Sequence, residues 1–376
     1  MAATRPTFML PQANSTKQAY SKATQKARVA RDAGGSVSAT GWVGAKNMGA
    51  GMRKILILGG GGMIGQKLAH HLAAHGLNGD REIEVTLFDM GFPAQGGAAG
   101  RKVTGNITDA AIVAGLLAEK PDVIFHLASV VSGEAEQDYA KGWAVNMFPH
   151  WHMIEDLRAA HEASGGTYVP KVIFTSSIAV FGGPFPDRIG DEFLCAPQTS
   201  YGAQKAICEL MLNDASRKGY VDGVSIRLPT ICVRPGLPNA AASGFFSGII
   251  REPLNGQDAI LPVGDDVRHW HASPRSAVRF LTHAAALDST RLNGRRALNM
   301  PGVSCTVAEQ IEALRRVAGN DAVARIKRKP DPDIVKIVSL WPRNFAPERA
   351  LALGFQAEAD FDEIIRVYLE DDLPGA

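Results

Sequence analysis

The chain has 376 residues, 45% of them hydrophobic, with 40 Lys and Arg against 38 Asp and Glu. A net charge of +2 gives no basic face large enough for nucleic acid, and no run of about eighteen apolar residues is present to span a membrane. The length suits one large domain with a smaller lobe.

Residues 1–51 hold a single acid, Asp32, and no apolar periodicity. Such a segment buries too little surface to offset its ordering entropy, and a disordered extension is expected. Its acid-poor, basic composition loosely matches an organelle transit peptide. An extended start is the simpler reading, because Met52-Arg53-Lys54 directly precedes the first strand. A cytoplasmic location is expected, with organelle targeting by residues 1–51 as the alternative.

Lys54–Leu58 reads as a short buried strand ending in glycines, and Gln66–His75 as a helix. Glu84–Asp89 is a second strand, Asp109–Glu119 a helix and Asp122–Leu127 a further strand. One long helix is expected over Tyr139–Glu162, then a strand over Val172–Thr175, a helix over Tyr201–Lys218 and a strand over Val224–Leu228. Short apolar strands alternating with helices predict parallel β-α-β units, hence an α/β fold of the Rossmann type with a doubly wound parallel sheet. After Pro229 the regularity weakens. The expected division is a dinucleotide-binding domain over 52–230 and a smaller C-terminal substrate-binding lobe over 231–376, partly interleaved with it.

Cys195, Cys208, Cys232 and Cys305 lack C-x-x-C spacing. Neither a metal site nor a disulfide framework is expected, and a reducing compartment fits. The pairs His150/His152 and His269/His271 have no Cys or carboxylate cluster to complete a ligand set, and are read as structural.

Gly59-Gly60-Gly61-Gly62-Met63-Ile64-Gly65 joins the first strand to the first helix. Glycines there let the backbone turn tightly and approach a pyrophosphate, which the free N–H groups and positive end of the helix attract. Asp89 ends the second strand, 24 residues after Gly65, where an acid accepts from the adenosine ribose hydroxyls. A carboxylate there repels a 2′-phosphate, and no Arg or Lys follows within Met90–Pro93. The expected cofactor is NAD.

Tyr201-Gly202-Ala203-Gln204-Lys205 puts a phenol and an ammonium four residues apart on one helix face. Lowering a tyrosine pKa from about 10 to about 7 needs roughly 4 kcal/mol. An ammonium about 4 Å away supplies that order at an effective dielectric of about 20. Tyr201 is then a candidate general base. Ser177, at a strand end, is placed to hold the substrate oxygen.

Together these residues resemble the extended short-chain dehydrogenase/reductase family, the NAD-dependent epimerase/dehydratase group, over about 53–370. The resemblance implies that Gly59, Gly62 and Gly65 line the pyrophosphate, with Met63 and Ile64 against it, and that Asp89 binds ribose. It implies an adenine pocket at Asn106 and Ile107, where an Asp is usual at the first position. Leu127 and Ala128, in His126-Leu127-Ala128-Ser129, would run beside the cofactor. Asn146 would support the catalytic trio of Ser177, Tyr201 and Lys205, and Lys205 would also bind the nicotinamide ribose. The Pro229 backbone would face the nicotinamide. A homodimer through helices near Tyr139–Ala160 and Ala203–Arg217 is implied.

Thr175-Ser176-Ser177 stands where dehydratases of this family carry Thr-Asp-Glu. Arg227-Leu228-Pro229-Thr230, followed by Trp270-x-x-Ser273-Pro274-Arg275-x-Ala277-Val278, resembles the D-erythronate dehydrogenase branch. That branch implies oxidation of a small sugar acid at C2, with Tyr201 taking the hydroxyl proton. A carboxylate substrate suits an arginine fork. Arg234, Arg268 and Arg275 are the candidates, and Ser129 begins a stretch to Glu134 lining the substrate side. Two alternatives are a nucleotide-sugar epimerase on the same scaffold and a non-catalytic NAD-sensing protein.

Overall fold

The computed structural model describes residues 51–236 and 242–373. The expectation for the N-terminal extension lies outside the described residues, Gly51 apart.

The chain begins β1 (Arg53–Leu58), α1 (Met63–His75), β2 (Ile83–Asp89), β3 (Arg101–Thr104), α2 (Ala110–Ala118) and β4 (Val123–His126). Next come α3 (Ser132–Gln137), α4 (Tyr139–Asn146), α5 (Phe148–Ala163), β5 (Lys171–Ser177), β6 (Ile189–Gly190), α6 (Ser200–Arg217), β7 (Asp222–Leu228) and β8 (Thr230–Ile231). The remainder is α7 (Gly244–Leu254), β9 (Ala259–Leu261), β10 (Arg268–Ala272), α8 (Pro274–Ala286), β11 (Ala297–Asn299), β12 (Val303–Thr306) and α9 (Val307–Val323). It closes with β13 (Ile326–Arg328), α10 (Pro332–Ser339), β14 (Phe345–Ala346), α11 (Glu348–Ala352) and α12 (Phe361–Asp371).

Seven strands form one sheet in the order β11-β7-β5-β4-β1-β2-β3, and every neighbouring pair is parallel. The order reverses at β1/β4, where open α/β sheets leave a crevice beyond the strand ends. A parallel sheet is covered on both faces, so its strands read as unbroken apolar runs. Ile55 and Ile57 of β1 face the core under α1 and α8, whereas Leu56 and Leu58 face the core under α2, α5 and α6. A third core joins α7, α9 and α12 around Phe246, Ile250, Leu314 and Ile365.

One expectation fails. The single helix over Tyr139–Glu162 is two, α4 and α5, separated at Met147. Pro149 in the first turn of α5 has no N–H to give Val145, and its ring crowds that carbonyl. Strand β3 carried no signal because it is a four-residue edge strand with only Val103 half-buried. From the C-terminal stretch, β11 pairs in parallel with β7 at the edge of the main sheet.

Candidate functional site

The glycine turn is shaped by close approaches. Gly59 has φ +92°, and a side chain there would meet the Ala128 amide at 2.6 Å. A Cβ on Gly61 would lie 1.9 Å from the Gly91 carbonyl, and one on Gly65 would lie 2.2 Å from the Gly59 carbonyl. Leu127 and Ala128 both donate their amides to the Leu58 carbonyl, which brings β4's exit against the turn. Helix α1 starts after Gly62 with no side-chain cap and no acid in its first turn. Its first intrahelical bond runs from Gln66 to the Gly62 carbonyl at 2.9 Å, and the amides of Met63, Ile64 and Gly65 have no acceptor among the described residues. An uncapped helix start of this kind suits an anion.

Asp89 borders the turn, accepting from the Gly61 amide at 2.9 Å and the Met90 amide at 2.7 Å. Gln66, which the sequence reading missed, braces the other side: it donates to the Gly60 carbonyl and accepts from Ala98. The Asn106 carboxamide closes a local turn by accepting from Thr108, and Ile107 is buried beside it. The glycine cradle, the free amides and the Asp89 carboxylate together fit a dinucleotide.

The catalytic candidates converge at the C-terminal ends of β4 and β5. Lys205 is 2% exposed and donates its ammonium to the Thr175 carbonyl at 2.9 Å. It stands 5.5 Å from the centre of the Tyr201 ring and 4.8 Å from that of Phe174. Burial pushes its pKa down to about 8. Burial also pushes the Tyr201 phenol above its ordinary value, opposed by the charge of Arg234 and by hydrogen bonding to Ser177 and Ser129. The Lys205 ammonium gives one of its three N–H groups to a backbone carbonyl and is itself desolvated, and the Arg234 charge opposes the effect of burial on the phenol.

Asn146 is the hub of this wall. Its carbonyl oxygen accepts from Ser129 at 2.9 Å and from the Val130 amide at 2.8 Å, and its amide donates to Gln204 at 2.8 Å. Gln204, fully buried inside the Tyr201–Lys205 motif, went unnoticed because glutamine at such a position carries no distinctive spacing. His126 and His150 meet through their Nδ1 atoms at 2.9 Å, and burial holds both below the usual histidine range.

The three arginines part company. Arg234 is half-buried, donating to the Ile231 carbonyl at 2.9 Å and to the Ser243 hydroxyl at 3.0 Å. It pairs with no carboxylate among the described residues, and burial depresses its pKa. Arg268 instead pairs with Glu309 at 3.1 Å, and Arg275 with Glu370 and Asp371. Both of these guanidinium groups already have anionic partners, whereas Arg234 has none among the described residues. Ser273 and Ser276, from the same segment as Arg275, both donate to Glu358, which ties the start of α8 to the C-terminal stretch. Pro229 is buried between β7 and β8.

The fold and site define a class: the chain belongs to the NAD dependent epimerase/dehydratase family, which it matches over residues 55–285. It is an oxidoreductase with NAD as cofactor. More particularly, it is 47% identical to the D-erythronate dehydrogenase of Cupriavidus necator, over 84% of this chain and 98% of that one. It is 40% identical to the D-erythronate dehydrogenase of Haemophilus influenzae, over 85% of this chain and the whole of the relative. Among solved structures, the nucleoside-diphosphate-sugar epimerase from Agrobacterium tumefaciens is similar, with a TM-score of 0.83, 50% identity, and coverage of 89% of this chain and 98% of that one. No described helix is long and apolar enough to cross a membrane.

Proposed function

We propose that the protein oxidises the C2 hydroxyl of D-erythronate, a small sugar acid, to the 2-keto acid. Arg234 is the observation that carries this reading. A guanidinium half withdrawn from water and paired with no carboxylate among the described residues carries a desolvation cost, and its charge opposes the effect of burial on the Tyr201 phenol. An anionic substrate offsets that cost, and a planar fork grips a carboxylate in two places. The D-erythronate dehydrogenase relatives support the choice of acid.

In this reading the amides of Met63, Ile64 and Gly65 would hold the pyrophosphate of NAD over the glycine turn, Asp89 would bind its ribose, Asn106 and Ile107 its adenine, and Leu127, Ala128 and the Pro229 backbone would flank it. NAD supplies a hydride acceptor there. Tyr201 takes the hydroxyl proton, worth about 10²–10⁴-fold as general base catalysis. Ser177 and Ser129 orient the reacting oxygen. Lys205 holds the Tyr201 ring and the nicotinamide ribose, and Asn146 and Gln204 fix the wall behind them. Residues 52–230 form the cofactor half and 231–376 most of the substrate lobe.

The Agrobacterium relative favours a second reading, an epimerase acting on a nucleotide sugar. An epimerase releases no net NADH. Incubation with NAD and D-erythronate is expected to raise absorbance at the reduced-nicotinamide band. No rise with the acid, together with conversion of a nucleotide sugar, contradicts the proposal.

A homodimer in the cytoplasm completes the reading. Tyr139, Phe148, Trp151 and Leu210 are exposed apolar residues on α4–α6 and support a contact through those helices. Sedimentation at twice the monomer mass is the expected result.

A further inference from the structure

Thr230 and His269 form a hydrogen-bonded pair with no part in the chemistry of Tyr201. The His269 ring is 2% exposed, stacked on Phe246 at 5.2 Å with 4° between planes, and 5.2 Å from Trp341. Its Nδ1 lies 3.0 Å from the Pro342 carbonyl. A carbonyl only accepts, so Nδ1 carries the proton. Burial drops the pKa of this ring to about 4, so it is neutral and its Nε2 is a bare lone pair. The Thr230 hydroxyl sits 2.7 Å from that Nε2, and its hydrogen must point there. Only lone pairs remain on the Thr230 oxygen: the buried ring fixes this hydroxyl as an acceptor.

Thr230 follows Pro229 just past the C-terminal end of β7, whose last residue, Leu228, pairs with Ser177. Its neighbour Ile231 anchors the Arg234 guanidinium. Thr230 thus lies along the chain between the residue beside Ser177 and the cation of the proposed carboxylate site. It is half-buried, although its partner is fully buried.

We propose that Thr230 is a specificity-determining residue that accepts a hydrogen bond from a second substrate hydroxyl, beyond the carbon being oxidised. The ligand class is then a polyhydroxylated carboxylic acid, and plain 2-hydroxy acids are disfavoured. A site built to bond a hydroxyl rejects the analogue that lacks it, because its own polar group is left unpaired. The inference rests on the sugar-acid reading above and narrows it.

The test measures kcat/KM with NAD for D-erythronate and for its 3-deoxy and 4-deoxy analogues, in the wild type, Thr230→Val and Thr230→Ser. Should wild type oxidise a different hydroxy acid, the choice of D-erythronate fails, and the same comparison is made with that acid and its deoxy analogues. Thr230→Val is expected to cost about tenfold or more on the fully hydroxylated acid and about twofold or less on one deoxy analogue. Thr230→Ser is expected to restore the selectivity of wild type. The valine also leaves His269 Nε2 bare, so a purely structural role slows every substrate alike. Equal losses on all the acids, or an unchanged ratio in Thr230→Val, overturn the inference.

Discussion

In the proposed reading the glycine turn and the substrate edge solve the same problem, binding an anion, by opposite means. At the turn the backbone does the work: the α1 amides carry partial charges, and glycines at 59, 61 and 65 let chain approach chain. At the substrate edge a whole charge, the half-buried Arg234, is held by a carbonyl and a hydroxyl. The first device is local and tolerates no side chain. The second draws on Ile231, Ser243 and Tyr201 and tolerates no lost charge. Backbone sites thus fail through volume, and charged side-chain sites fail through electrostatics.

Substitutions can break that contrast, and the largest effect is expected between the two devices. Tyr201→Phe should cut kcat by about 10²–10⁴-fold while NADH titration by fluorescence gives an unchanged Kd. Full activity in that variant moves the base elsewhere. At the turn, Gly61→Val should abolish measurable NADH binding by the same titration, since even a Cβ would sit 1.9 Å from the Gly91 carbonyl. Near-normal affinity would mean that the cofactor is not laid there.

Lys205→Met sharpens the electrostatic side. Turnover should fall by about a hundredfold, yet thermal melting at neutral pH should not move down, because the lysine is a desolvated cation whose pKa is depressed to about 8. Folding is therefore penalised below that pH, and methionine removes the penalty. A clear fall in Tm contradicts the reading. The smallest and broadest effect is with pH. His126, His150, His269 and His271 are buried and held below the usual histidine value by desolvation. The unfolded chain binds protons first, so their contribution is complete above about pH 6.5 and is lost as pH falls toward about 4 for His269 and about 3 for His150. Melting temperature should drop steadily across that window; a flat profile would contradict it.

The backbone device was legible in the sequence because its parts are contiguous. Gly59 to Gly65 is one run, and the apolar run of β1 announces the strand before it. Tyr201 and Lys205 were legible for the same reason, as one helix face. The substrate edge was only half legible. Arg234, Arg268 and Arg275 look alike as letters, and only the fold reveals that Glu309, Glu370 and Asp371 already engage two of them. Gln204, His126 and the Thr230–His269 pair were hidden because their partners lie on distant elements: Gln204 meets Asn146 across 58 positions and Thr230 meets His269 across 39. The split at Met147 was visible in principle, since Pro149 marks it.

The claim on which most depends is that Arg234 receives the substrate carboxylate beside Tyr201. Arg234→Met should raise KM for D-erythronate by about a hundredfold, the scale of a lost charge-assisted pair, while Kd for NADH stays at the wild-type value. A wild-type KM in Arg234→Met would contradict the account.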